Sequence, residues 1–463
     1  MDRAKNTGGD TYRLIVTCCN ASQVLLLTRG NVCSVPSVKI DPGEGRIAGQ
    51  LGGELYALCG CHAYCLFLLN LGVGLPNCAV MEVSDPRDIA SARICWRPLD
   101  AATCSSMESA EDRAVMEKSI EELDLAQRER NRGPFSRPGW LQDLLAWAQQ
   151  QLDSPGLRLT GAFTQWNASP AFSLIRLETN DSAVWFKAAR GPNRNELPVS
   201  ACIARLFPEY APELLGIHTD WNGWLARDVP GRTLDHGTEL PAWLKAAEAL
   251  ARLQIASIGK QAELLQGGCK DLRVSKLIEE VDPWIECVRE LMAGQQKQTP
   301  ARLTDPELAL LADYLKQACL LLAGLGFPDA LGHLDLNPGN IVVSPTRSVF
   351  LDWAGGCVTN PLFSFEYLRE HFQRACSKDT HAMEALAAAY LGPWQPLFSS
   401  NILNKATQLS PLLAVFTYAV GNYARQATES PLHPSVAGYL RSLARRMHRE
   451  AVQIEERSEP CPV

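Results

Sequence analysis

Between Gly332 and Trp353 the chain sets out an aspartate, an asparagine, a short apolar run, a turn, and a second apolar run ending in another aspartate. The residues are Gly332-His333-Leu334-Asp335-Leu336-Asn337-Pro338-Gly339-Asn340, then Ile341-Val342-Val343, then Ser344-Pro345-Thr346-Arg347-Ser348, then Val349-Phe350-Leu351-Asp352-Trp353. The Ser, Pro and Thr of the middle segment are turn formers, so the chain folds back and Asp352 returns beside Asn340. An amide oxygen and a carboxylate side by side are hard oxygen ligands, suited to Mg²⁺ carrying nucleotide phosphates. Asp335, on a loop before the first strand, is placed to orient or deprotonate an attacking hydroxyl.

The pattern His333-x-Asp335-x-Asn337-Pro338-x-Asn340, followed by Leu351-Asp352-Trp353, resembles the catalytic and metal loops of the protein-kinase-like superfamily. It is most similar to the small-molecule branch, the aminoglycoside and choline phosphotransferase-like kinases. Protein kinases carry Asp-Phe-Gly where this chain has Asp352-Trp353-Ala354. The resemblance runs from about residue 140 to 450. It implies an α+β, bilobal kinase-like fold, with a small β-rich lobe and a large helical lobe. It also implies ATP- and Mg²⁺-dependent transfer of the γ-phosphate to a hydroxyl of a small molecule, with Asp335 catalytic and Asn340 and Asp352 on the metal. Two departures stand out. Leu334 occupies a position where that branch usually has Gly. The acid that the branch places near Ser364 to anchor the catalytic loop is missing, and Glu366 is the nearest carboxylate. Leu334, the missing Gly-rich loop and the degenerate front of the chain keep a second reading open, in which a catalytically weak kinase-fold protein senses nucleotide or acts as a scaffold.

Upstream, residues 153–235 alternate between strand patterns and turns. Leu157–Phe163 and Ala171–Glu178 read as strands, and the Thr164–Ser169 loop between them takes the place of a phosphate-covering loop without a glycine of its own. Ala183–Ala189 is an apolar strand holding a lone Lys187. Such a lysine either faces solvent or finds anionic partners. The resemblance implies the second, with Lys187 on nucleotide phosphates and Glu196, opening the next helix, as its partner. Glu213–His218 and Gly223–Val229 read as a hairpin. The resemblance puts its end, at Arg227, Asp228 and Val229, at a hinge where backbone groups bond adenine.

The 463 residues suggest two or three domains, divided as a separate small α/β domain at 1–130, a linker and bridging helix at 131–152, the β-rich lobe at 153–235 and the helical lobe at 236–463. Net charge is -7 with no basic block, which argues against nucleic acid and is compatible with an amine-bearing acceptor. The polar start carries no apolar signal core, so a cytoplasmic location is expected. Sixteen cysteines are present, and buried reduced thiols are the default in that compartment. Cys59, Cys61, His62 and Cys65 admit two readings, packed thiols or a metal site.

The opening strands, Tyr12–Cys18 and Gln23–Thr28, resemble those of Nudix-type domains. No Arg-Glu-x-x-Glu-Glu block follows, so that resemblance implies a module without hydrolase activity. Tyr56–Val80 has no charged residue. It reads as a buried helix over about Leu51–Leu69 followed by a strand at Ala79–Val83, or as a membrane span. In the helical lobe, apolar periodicity predicts helices at Pro241–Ile258, Asp271–Met292 with a break at Asp282-Pro283, Asp305–Leu325, from Pro361 onward, Met383–Tyr390, Leu409–Gln426 and Pro434–Arg446. Glu279, Glu280, Asp282, Glu286 and Glu290 form an acidic patch, read either as a solvated face or as an amine receiver. Residues from Ile454 onward are expected to be disordered.

Overall fold

The computed structural model divides the chain into two compact units, Met1–Gly191 with Leu214–Asp228, and Pro192–Glu213 with Val229–Val463. Residues 9–458 are described, apart from 31, 42, 44–45, 72–75, 84–92, 129–132, 237–238, 377–378 and 427–433. The fold is α+β, as expected.

The first unit holds two sheets. One is built from β1 (Asp10–Cys18), β2 (Gln23–Arg29), β3 (Val32–Ser34), β4 (Ser37–Ile40), β5 (Ala63–Leu69), β6 (Asn77–Val83) and β7 (Ile94–Pro98), in the order β3-β2-β1-β6-β5, with β4 on β1 and β7 on β2. Its helices are α1 (Ile47–Cys59), α2 (Ala101–Ser105) and α3 (Ala110–Arg128). The other is antiparallel, in the order β11-β12-β10-β9-β8, from β8 (Leu159–Gln165), β9 (Phe172–Thr179), β10 (Val184–Ala189), β11 (Leu214–His218) and β12 (Gly223–Arg227). Between them in sequence lies α4 (Trp140–Leu152). One core joins both sheets: Ile15, Leu26, Tyr64 and Val80 of the first pack with Trp140, Leu144 and Leu152 of α4 and with Phe163, Ile175, Phe186 and Leu225 of the second.

The uncharged run divides differently from the helix expected to Leu69. The helix stops at Cys59 because Gly60 takes a left-handed φ of 74° and returns its N–H to Tyr56 at 2.7 Å. Ala63–Leu69 is then a strand, buried from Ala63 to Phe67. A strand covered on both faces loses the apolar-polar alternation that marks strands in sequence. Among the described residues, no helix is long and apolar enough to cross a membrane.

The second unit opens with α5 (Glu196–Leu206). It continues through β13 (Arg232–Thr233), α6 (Leu240–Ala256), α7 (Gln261–Gln266), β14 (Lys270–Asp271), α8 (Val274–Ala293), α9 (Asp305–Gly324), β15 (Ala330–His333), β16 (Ile341–Val343), β17 (Ser348–Phe350) and β18 (Gly356–Thr359). The helices α10 (Leu362–Cys376), α11 (Thr380–Leu391), α12 (Ser400–Gln426) and α13 (Pro434–Ser458) complete it. Two three-stranded sheets, β13-β16-β17 and β14-β18-β15, sit among these helices. The core is helical, with Trp243, Trp284 and Trp394 buried in it. Two expectations are corrected here. The helix α8 runs through Pro283 without a break, because Pro283 faces solvent while Val281, Trp284, Ile285 and Val288 stay buried. The helix α13 continues to Ser458, past Ile454 where disorder was expected to begin, and 459–463 lie outside the described residues.

The acidic residues of α8 are largely ion-paired. Lys276 meets Glu279 at 2.7 Å, Lys316 meets Asp282 at 2.6 Å, and Arg289 pairs with Glu286. That is a solvated, charge-matched face.

Candidate active site

The strand β15 delivers His333 to the start of the loop, and the hairpin β16–β17 sets the loop's other end. Val342 pairs with Val349 and Ile341 with Phe350. The ladder extends one step, with the Leu351 N–H on the Asn340 carbonyl at 2.8 Å. Asn340 and Asp352 therefore stand at the same end of the hairpin, as the turn chemistry predicts. Asp352 is held at φ 61°, a left-handed conformation that costs a non-glycine residue free energy and is concentrated at functional sites. It precedes the single turn Trp353–Gly355.

His333 ties these parts together. It is only 2% exposed. Its Nδ1 accepts the Asp335 N–H at 3.1 Å, so Nε2 carries the proton and donates to the Leu351 carbonyl at 2.9 Å. Its ring lies 4.6 Å from that of Trp353. One buried imidazole thus links the Asp335 loop to the residue beside Asp352.

Asp335 is exposed. Asn337 Nδ2 donates to its Oδ1 at 3.3 Å, while Asn337 Oδ1 accepts the Gly339 N–H at 3.0 Å. Asn340 Nδ2 donates to the Asp335 carbonyl at 2.9 Å. That bond orients the Asn340 amide, leaving Oδ1 as the end able to meet a cation. With the Asp352 carboxylate it makes a hard-oxygen donor pair of the kind Mg²⁺ accepts. Among the described residues, no group of three or more His, Cys, Asp or Glu side chains is arranged to hold a metal, and Cys59, Cys61, His62 and Cys65 form no such group.

Four features escaped the sequence reading. Ser364, on α10, accepts the His333 N–H with its hydroxyl at 2.9 Å, in a buried setting. It stands where the resemblance implies an anchoring acid. Glu366 does not fill that role: its carboxylate takes Arg369 at 2.6 Å and the Ser410 hydroxyl at 2.8 Å. Leu334 is accommodated by a glycine on α12, since a Cβ on Gly421 would lie 2.5 Å from Leu334 Cδ1. Asp235 closes on the turn at Gly339, where a Cβ would meet its Oδ2 at 3.2 Å.

The fourth feature is an aromatic face. Tyr367 on α10 stacks with Tyr418 on α12 at 5.5 Å, and Tyr418 meets Tyr439 on α13 at 6.3 Å. His371 lies 5.1 Å from Tyr367. Burial first, then the charge of Asp335, pushes the Tyr367 phenol up to about 12. Burial lowers His371, against the opposing pull of Glu370 and Asp335. The phenols and the imidazole are therefore neutral beside Asp335 at neutral pH.

The first unit carries the remaining expected residues. Lys187 is half-buried in β10, paired with Leu174 and Trp224 on its neighbouring strands, with its Nζ 5.5 Å from the Phe172 ring and 5.9 Å from Trp224. Asp228 uses its carboxylate to accept the Trp185 indole N–H at 2.7 Å, and Arg227 ends β12. Val229 begins the return into the second unit, and Glu196 lies buried at the first turn of α5. The Thr164–Ser169 loop is held by side chains: Asn167 bonds Leu174 and Phe172 backbone groups at 2.9 Å each. Gln165 exchanges two bonds with the Cys65 backbone at 2.7 and 2.9 Å, and Arg46 sits 3.4 Å over the Trp166 ring.

Residues 192–397 match the sequence model of the phosphotransferase enzyme family. Several solved structures are similar. A putative aminoglycoside phosphotransferase from Ralstonia eutropha is 15% identical with a TM-score of 0.46, covering 69% of this chain and 99% of its own. Choline kinase LicA from Streptococcus pneumoniae is 12% identical with a TM-score of 0.45, covering 67% and 99%. An ethanolamine kinase from Plasmodium vivax is 14% identical with a TM-score of 0.45, covering 67% and 85%. No curated protein sequence matches the chain.

Proposed function

We propose that this chain, whose residues 192–397 match the sequence model of the phosphotransferase enzyme family, moves the γ-phosphate of ATP to a hydroxyl of a small molecule. One observation carries the reading: the Asn340 amide is bonded to the Asp335 backbone at 2.9 Å, so the candidate proton acceptor and a candidate metal ligand are fixed on one turn. Phosphoryl transfer needs little covalent chemistry from the protein and depends on positioning and charge. Asp335, on an exposed loop, orients the acceptor hydroxyl and takes up its proton. Asn340 Oδ1 and the Asp352 carboxylate would hold Mg²⁺, which when bound neutralises phosphate charge. Lys187 is assigned to the phosphates on its place in the chain order.

The acceptor that suits the surroundings of Asp335 is a hydroxylated molecule that also carries an amine. Tyr367 and Tyr418 offer aromatic faces, and Asp335 adds negative charge to the same region. Two of the departures have a compensating neighbour, Ser364 for the absent acid and Gly421 for the bulk of Leu334.

The test is thermal unfolding with and without Mg-ATP, followed by ADP release across a panel of hydroxylated metabolites with and without amines. A rise in midpoint with Mg-ATP, and turnover that favours amine-bearing alcohols, is expected. No nucleotide binding at all would overturn the assignment.

A further inference from the structure

The helix α1 ends at Cys59, and Gly60 turns the chain so sharply that Cys61 comes back over the helix end. The two Sγ atoms lie 3.1 Å apart. A disulfide needs about 2.0 Å, so bond formation asks for an approach of roughly 1 Å. A Cβ at Gly60 would meet nothing within 4 Å, so the turn has open space around it. Cys59 is half-buried and reaches solvent, while Cys61 is buried behind it. This is the arrangement of an attacking sulfur with a resolving sulfur at its back.

We propose that Cys59 and Cys61 form a two-thiol site that reduces a hydroperoxide and closes to an intramolecular disulfide. The Cys59 thiolate attacks the terminal oxygen of the hydroperoxide. The O–O bond breaks, the alcohol leaves with a proton, and Cys59 becomes a sulfenic acid. Cys61 sulfur then attacks Cys59 sulfur; the S–S bond forms, the S–O bond breaks, and the hydroxyl leaves as water with the Cys61 proton. Two thiols lose two electrons and the hydroperoxide gains them. A small-molecule dithiol reverses the change.

The electrostatics agree with this division of roles. The Cys61 S–H, donated to the Cys59 sulfur, is the largest influence on Cys59 and lowers its thiol to about 7. Burial instead raises the thiols of Cys65, Cys78, Cys319 and Cys357. Cys59 is therefore shifted toward the thiolate relative to an ordinary free cysteine.

The experiment treats the reduced full-length protein with a limiting amount of hydrogen peroxide, blocks remaining thiols with a maleimide, and maps products by peptide mass spectrometry. The expected product lacks two hydrogens, with the link between Cys59 and Cys61, and is restored by dithiothreitol. Cys61→Ser should stop at a sulfenic acid on Cys59 that dimedone traps, and Cys59→Ser should lose the fast phase. Cys59→Ala, checked by circular dichroism, separates loss of the sulfur from loss of the fold. Oxidation that goes first to the exposed Cys19, or that proceeds at the same rate in Cys59→Ala, would overturn the proposal. None of these readouts depends on phosphotransfer.

Discussion

The Ser364 hydroxyl accepts the His333 backbone N–H at 2.9 Å, joining α10 to the first residue of the Asp335 loop. His333 in turn holds the Asp335 N–H and the Leu351 carbonyl through its two ring nitrogens. A neutral hydroxyl therefore anchors the loop, at the position where the sequence lacks the acid that the resemblance implies. Ser364→Ala leaves a buried N–H without its acceptor, which costs about 1–3 kcal/mol. We expect a lower unfolding midpoint together with a lower kcat and a nearly unchanged KM for ATP. Equal stability and kcat in the variant would show that His333 is held adequately without Ser364.

Asp335→Asn keeps the shape of the loop, because the Asp335 carbonyl that accepts the Asn337 N–H and Asn340 Nδ2 at 2.9 Å each is unaltered, and the new amide oxygen can still accept from Asn337 Nδ2. What it removes is the proton acceptor. Turnover should drop by roughly 10²–10⁴-fold, the range for a lost general base, while Mg-ATP still raises the unfolding midpoint. Wild-type turnover would take Asp335 out of the chemistry.

Gly421 and Leu334 are coupled by contact. Gly421 sits within α12, its carbonyl accepting from Lys270 Nζ at 2.8 Å, and a Cβ there would meet Leu334 Cδ1 at 2.5 Å. In an unhindered helix, Gly→Ala gains up to about 1 kcal/mol. Here the new methyl crowds Leu334, and overpacking costs about 1–3 kcal/mol. Gly421→Ala should therefore destabilise the wild-type background and become neutral or stabilising with Leu334→Ala. A double-mutant cycle by thermal unfolding measures the coupling, and additive effects would remove it.

The parts of the site that were legible in the sequence are the local ones. Asp335, Asn340 and Asp352 lie within one loop and hairpin, where turn formers and short apolar runs dictate geometry directly. Ser364, Gly421 and Tyr418 reach the same place from α10 and α12, and no spacing rule links them to the loop. The same contrast holds for the fold. The helix α4 was readable to the residue at Trp140–Leu152, since one face of it is buried. The strand β5 was not, since burial erased its alternation and only Gly60 marked the break. Pro283 misled in the other direction, because packing on the buried side of α8 outweighs one missing backbone donor.

Glu82 gives the first unit a specific pH dependence. Its carboxylate is fully buried in β6 and accepts the Gly139 N–H, at the start of α4, through both oxygens at 2.8 and 2.9 Å. Burial raises its pKa to about 7; the Gly139 bond and Arg137 oppose the rise. A carboxyl whose folded value lies above its unfolded one stabilises the fold most below the unfolded value, near 4.5, and loses that contribution as pH climbs to about 7. The loss is roughly 3 kcal/mol across that window. Glu82→Gln keeps an oxygen for Gly139 and cannot ionise. Relative to this variant, the wild-type protein should be more stable at pH 5 than at pH 8, with the change concentrated between those values. Thermal unfolding of both proteins across the range measures it, and a constant difference from pH 5 to 8 would mean that Glu82 does not titrate there.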